Sequence, residues 1–136
     1  MGFSDDLRAF YKGQEERADA VVRGALITLT TKIILRSPVD TGMFRGNWQI
    51  TQGSPPAYPV NTPDKVGSVT IDRAKEAIPH DAAGLVYYIA NNVHYGIYLE
   101  RGHSAQAPPH AAGSVVGLSV LEFQTVVNRI VSELPR

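Results

Sequence analysis

Ser37-Pro38-Val39-Asp40-Thr41-Gly42-Met43-Phe44-Arg45-Gly46-Asn47-Trp48-Gln49-Ile50-Thr51 is where the chain changes its hydrophobic period. Upstream, Leu7, Tyr11, Ala18, Val22, Ala25, Leu29 and Ile33 recur at steps of three, four or seven, which is the mark of an amphipathic helix. Downstream, Phe44, Gly46, Trp48 and Ile50 alternate with Arg45, Asn47, Gln49 and Thr51, which predicts a half-buried strand over 44–51. The helix must stop at Ser37-Pro38, because a residue before proline avoids helical angles. Asp40-Thr41-Gly42 then makes the turn, with Gly42 free to adopt a positive φ.

Working outward, the first helix spans 4–35, with Ser4 as its cap and Asp5 and Asp6 at the positive end of its dipole. About 30 helical residues extend ~45 Å at 1.5 Å each. A compact chain of this length has a diameter near ~37 Å. A straight helix would overhang its own domain, so it breaks, lies loosely or rests on a neighbouring subunit. Gly13 and Gly24 each cost about 1 kcal/mol inside a helix, so each marks a bend or a close contact.

On the other side, 52–66 is a proline-rich loop, 70–77 a short helix closed by Pro79, and 80–84 a turn. Residues 85–90 are apolar on both faces, which suits a central strand. Residues 95–99 suit a helical turn, 101–113 a long loop, and 115–118 a short strand. Ser119-Val120-Leu121-Glu122 matches a capping box that opens a helix over 119–134, with Val120, Phe123, Val127, Ile130 and Leu134 as its seam. The expected architecture is a single α+β domain over 1–136. A long N-terminal and a C-terminal helix pack on one face of a small, mainly antiparallel sheet whose edges are open to other chains.

Composition narrows the function. At 136 residues roughly two-thirds of the unfolded surface can be buried. There is no cysteine, hence no disulfide and no thiolate metal site. Lysine and arginine balance aspartate and glutamate at 13 each. That balance argues against binding DNA through many phosphates and removes self-repulsion between copies. The start lacks a basic and an apolar region, and no apolar run reaches the ~20 residues of a membrane span, so the expectation is a soluble chain made inside the cell.

Three motifs invite chemistry. Asp40-Thr41-Gly42 is the tripeptide of aspartic proteases, which need two facing carboxylates, and a homodimer could supply the second. Its flanks, Pro38 and Met43, and the helices around it favour a structural turn at Asp40 and Gly42. His80, His94, His103 and His110 lack the paired spacing and fixed carboxylate that zinc requires, so neither metal nor cofactor is expected. Arg45, Arg101 and Trp48 could hold nucleic acid, but alternation sends Arg45 and Trp48 to opposite faces.

A second block completes the picture: Asn91-Asn92-Val93-His94-Tyr95-Gly96-Ile97-Tyr98-Leu99-Glu100-Arg101-Gly102-His103-Ser104-Ala105-Gln106-Ala107-Pro108. Together, the SPVDTG turn leading into R-G-x-W and the N-x-x-x-Y-x-x-x-L-E-x-G-x-S-x-Q-A-P stretch resemble the tail-completion and head–tail joining (neck) proteins of long-tailed bacteriophages. Order and spacing agree, and looser similarity covers most of the chain. Gly96 stands where a small residue such as alanine is usual, and Pro109-His110 replaces the common Ala-Gly.

The resemblance implies a structural virion protein and not an enzyme, made in the host cytoplasm and carried in the neck. It implies a homo-oligomeric ring, a hexamer, that touches a tail tube or terminator protein and a head connector or stopper protein. DNA would pass through the lumen without specific binding, and no membrane would be involved. Arg101, Gly102, His103, Ser104, Gln106 and Pro108 would form the loop that faces a neighbouring subunit or the lumen. A tail-terminator ring is the related alternative, and a homodimeric aspartic-type hydrolase using Asp40 the alternative of another class.

Overall fold

The computed structural model describes residues 2–96 and 115–133, the side chains of Leu118, Leu121 and Gln124 excepted. Its elements run α1 (Phe3–Arg36), α2 (Met43–Gly46), β1 (Trp48–Gln52), α3 (Ser68–Ala77), β2 (Tyr87–Asn91), α4 (Val115–Leu121) and α5 (Phe123–Glu133). The class is α+β: a long N-terminal helix and C-terminal helices around a two-stranded antiparallel sheet.

Helix α1 is 34 residues long, about 51 Å at 1.5 Å per residue. It is helical through both of its interior glycines. A Cβ on Gly13 would point into open space, whereas one on Gly24 would sit 3.4 Å from Ile130, so Gly24 marks a close crossing with α5. The cap is Gly2 and not Ser4: the Asp5 and Asp6 amides donate to the Gly2 carbonyl, and Asp5 Oδ2 accepts from the Gly2 amide. At the other end Ser37 closes the helix as expected, its amide donating to Ile34 and its hydroxyl to the Ile33 carbonyl.

The sheet pairs Trp48 with Asn91, Ile50 with Ile89 and Gln52 with Tyr87. Trp48 and Ile50 are buried on its inner face. Two clusters form the core. Ile33, Ile34, Phe44, Trp48 and Val115 make one, with Leu29, Ile71 and Val116 against it. Ile50, Ala74, Ile78 and Ala82 make the other, with Val22, Leu26 and Ile27 of α1 against it. Fully burying each large aliphatic contributes about 1.5–3 kcal/mol. The Phe44 and Trp48 rings meet edge to face, centroids 5.6 Å apart. The second half of α1 is thus a keel: α3, α4 and α5 pack against it, and Trp48 and Ile50 of the sheet lie in the two clusters it helps to form.

Four expectations are corrected. The strand does not begin at Phe44: Met43–Gly46 is one helical turn, and β1 starts at Trp48. The αL conformation of Gly42 (φ 88°) caps that turn and feeds helix where alternation suggested strand. Residues 115–118 are helical, in α4, because Val115 and Val116 pack onto the α1 keel and its core. The C-terminal helix proper is α5, from Phe123. Ser119 and Glu122 do not form a capping box: the Ser119 hydroxyl donates to the Val115 carbonyl, and Glu122 turns to α1. Lastly, 85–90 is no central strand: β2 has one partner among the described residues, and Leu85 and Val86 are exposed.

Candidate functional site

Two features distinguish the surface: a polar clasp around the first motif, and an exposed helical arm. The clasp begins at Gly42, whose carbonyl accepts from the amides of Gly46 and Asp64, both at 2.9 Å. A Cβ on Gly42 would lie 2.7 Å from the Lys65 nitrogen, and one on Gly46 would lie 1.9 Å from the Thr62 carbonyl oxygen. Both glycines are therefore required by close approach of the 60–65 segment. Asn47 is fully buried; its Nδ2 donates to Met43 (2.6 Å) and its Oδ1 accepts from the Val60 amide (2.7 Å).

Two arginines fasten the same corner. Arg45 donates to the carbonyls of Leu35, Ser37 and Lys65. Arg73 donates to the carbonyls of Gly46 and Trp48 and to the Thr62 hydroxyl. Trp48 Nε1 donates to the Ser37 hydroxyl at 2.6 Å, and Asn91 Nδ2 to the Phe44 carbonyl at 2.7 Å. The SPVDTG and R-G-x-W residues thus serve to strap the proline-rich loop across the α2–β1 corner.

Asp64 is the buried hub. It accepts from the Gly67 amide (2.8 Å), the Thr70 amide (2.9 Å) and the Thr70 hydroxyl (2.8 Å), so it caps α3. Burial pushes its carboxyl up, but the bonds from Thr70 and Gly67 together outweigh burial and hold it below the usual range. Burial lowers the Arg45 guanidinium from its ordinary value, partly opposed by Asp64. A second polar tie holds the C-terminal pair of helices: Glu122 accepts from Lys32 (2.7 Å) and Arg36, and Arg36 also donates to Ser119. Hydrogen bonds from Lys32 and then Arg36 hold Glu122 below its ordinary value.

The arm is the first half of α1. Residues 2–16 are exposed without exception, Phe3, Leu7, Phe10 and Tyr11 among them. The Phe10 and Tyr11 rings touch each other edge to face, 5.8 Å between centroids. The helix is fastened to the body from Asp19, whose Oδ1 accepts from the Ala83 amide at 3.0 Å.

Arg101, Gly102, His103, Ser104, Gln106 and Pro108 lie outside the described residues. Asp40 is exposed at a bend and takes no hydrogen bond among the described residues; the turn bonds come from Thr41, whose hydroxyl accepts from the Met43 amide, and from Gly42. His80 is exposed, and the His94 ring packs on Tyr95. Among the described residues no cluster of three or more His, Asp or Glu could hold a metal ion. Arg45 and Trp48 share no platform, since one is spent on carbonyls and the other lies in the core. Sequence reasoning missed Asn47, Asp64 and Arg73.

No family model, no curated protein and no solved structure matches this chain.

Proposed function

We propose that this chain is a structural component of a phage virion that assembles, through copies of itself, into a ring at the head–tail junction. On this reading the ring is a hexamer. It completes the tail, joins the tail tube or terminator protein to the head connector or stopper protein, and leaves a lumen for DNA. It acts by adhesion and shape. The two motif blocks carry the likeness to neck proteins. The observation that favours assembly is the projecting half of α1, which leaves Phe3, Phe10 and Tyr11 in water although its chain has a core for its other half. The clasp is compatible with this role: its arginines and Asp64 are engaged in holding backbone.

The test is loss and rescue. A phage lacking the chain should make DNA-filled heads and free tails of normal length that do not join, and the purified protein should restore joining. Over-long tubes would point to the tail-terminator alternative, and empty heads would remove the chain from the neck.

A further inference from the structure

The outer edge of β2 is open among the described residues. The Gly53 amide donates to the Val86 carbonyl, which fixes the phase of the antiparallel ladder. Tyr88 and Ala90 bond to their partners Thr51 and Gln49, and the amides and carbonyls of Tyr87, Ile89 and Asn91 point away from β1. None of those outward groups takes a hydrogen bond among the described residues. The far edge of β1 is partly closed, since Arg73 donates to the Trp48 carbonyl.

Sheet edges are ordinarily guarded by charge, proline or a bulge. The run from Leu85 to Asn91 has no charged residue, no proline and no glycine. A largely apolar cleft of about 380 Å³ adjoins the same edge, lined by Ile89 and Asn91 with Phe44, Trp48, Val93 and Val116. Backbone groups free for pairing, beside a hollow for alternate side chains, are the two parts of a strand-accepting site.

We infer that the outer edge of β2 accepts an extended, uncharged strand from a partner protein, with an apolar side chain of that strand seated in the cleft. Chemistry selects this occupant. Proline cannot donate to a ladder, which disfavours the run from Pro55 to Pro63 of another copy. A second β2 would leave the cleft empty. Its inward side chains are already committed, Tyr87 and Ile89 to the core and Asn91 to the Phe44 carbonyl. A charged side chain would enter the cleft without a counter-charge, because no carboxylate, lysine or arginine lines it. The inference goes beyond the ring reading and does not depend on it.

The test uses the full chain and a strand-forming probe, acetyl-Ser-Val-Thr-Leu-Thr-Val-Ser-amide, followed by amide exchange. In the dilute free chain, Tyr87 and Ile89 amides should exchange at least about tenfold faster than those of Tyr88 and Ala90. A large excess of peptide should slow the Tyr87 and Ile89 amides by at least about tenfold. A strand pairs through one of its own edges. Of two peptides N-methylated at alternate amides, in the two possible frames, one should therefore bind at least about tenfold more weakly than the other. Four results would each overturn the inference: Tyr87 and Ile89 already protected in the dilute chain, protection gained with chain concentration alone, no change with excess peptide, or equal binding of the two methylated peptides. None of them bears on head–tail joining, which the rescue assay decides separately.

Discussion

The two halves of α1 are one continuous helix with two different fates. Between residues 22 and 36, Ala25, Thr30, Ile33 and Ile34 are buried, with α3, α4 and α5 packed against the helix. Between 3 and 16, equally large side chains are exposed. Local sequence makes both halves helical. Topology decides which half finds a partner, because a body this small covers only part of a helix of about 51 Å.

Substitutions sharpen the contrast, beginning with the body. Gly46→Ala should cost the most, more than about 4 kcal/mol, because its Cβ would meet backbone and the Thr62 carbonyl cannot rotate away as a side chain could. Urea unfolding measures it. In the keel, Ile34→Ala should cost about 3 kcal/mol by leaving a cavity among fully buried neighbours.

Asp64→Ala should cost about 2–3 kcal/mol, since it strands the Thr70 and Gly67 donors. Asp64 also gives a pH signature. Its folded pKa lies below its unfolded one, so its contribution is complete above the unfolded value and is lost as pH falls through the ordinary carboxylate range towards the folded value. Glu122 has the same sign. Asp64→Asn should therefore flatten the acid limb of a stability-against-pH curve.

In the arm, Phe10→Ala should change unfolding free energy of the monomer by less than about 0.5 kcal/mol. A loss comparable with that of Ile34→Ala would erase the distinction between the halves. The smallest effect belongs to Asp40→Asn, which should leave stability and joining unaltered. Acid-optimal, pepstatin-sensitive peptide cleavage abolished by this substitution would instead favour the hydrolase.

Much of the frame was legible. Helix α1, α3 and the first strand follow from period and from proline breaks, and an apolar run marked the second strand, though as a central one. The misses have a common cause: short apolar runs do not distinguish strand from helix. Phe44 to Gly46 alternates yet turns helical behind an αL glycine, and Val115-Val116 enters a helix because α1 offers it a seat. Ser119 and Glu122 had capping-box spacing for a different reason, a tie to Arg36 and Lys32 that no local pattern encodes. Length alone showed that a straight α1 would outrun its domain, and the structure shows it unbroken. The clasp was not legible: Arg73 reaches Gly46 and Trp48 across more than twenty residues, and no local pattern marks Asn47 or Asp64 as the residues that hold the 60–70 segment.

Hydrogen exchange of the full chain at low and high concentration tests the division of α1 most directly. Amides of residues 3–16 should exchange fast in dilute solution and gain protection with concentration, while those of 25–36 stay slow throughout. Equal protection of both halves at every concentration would contradict it.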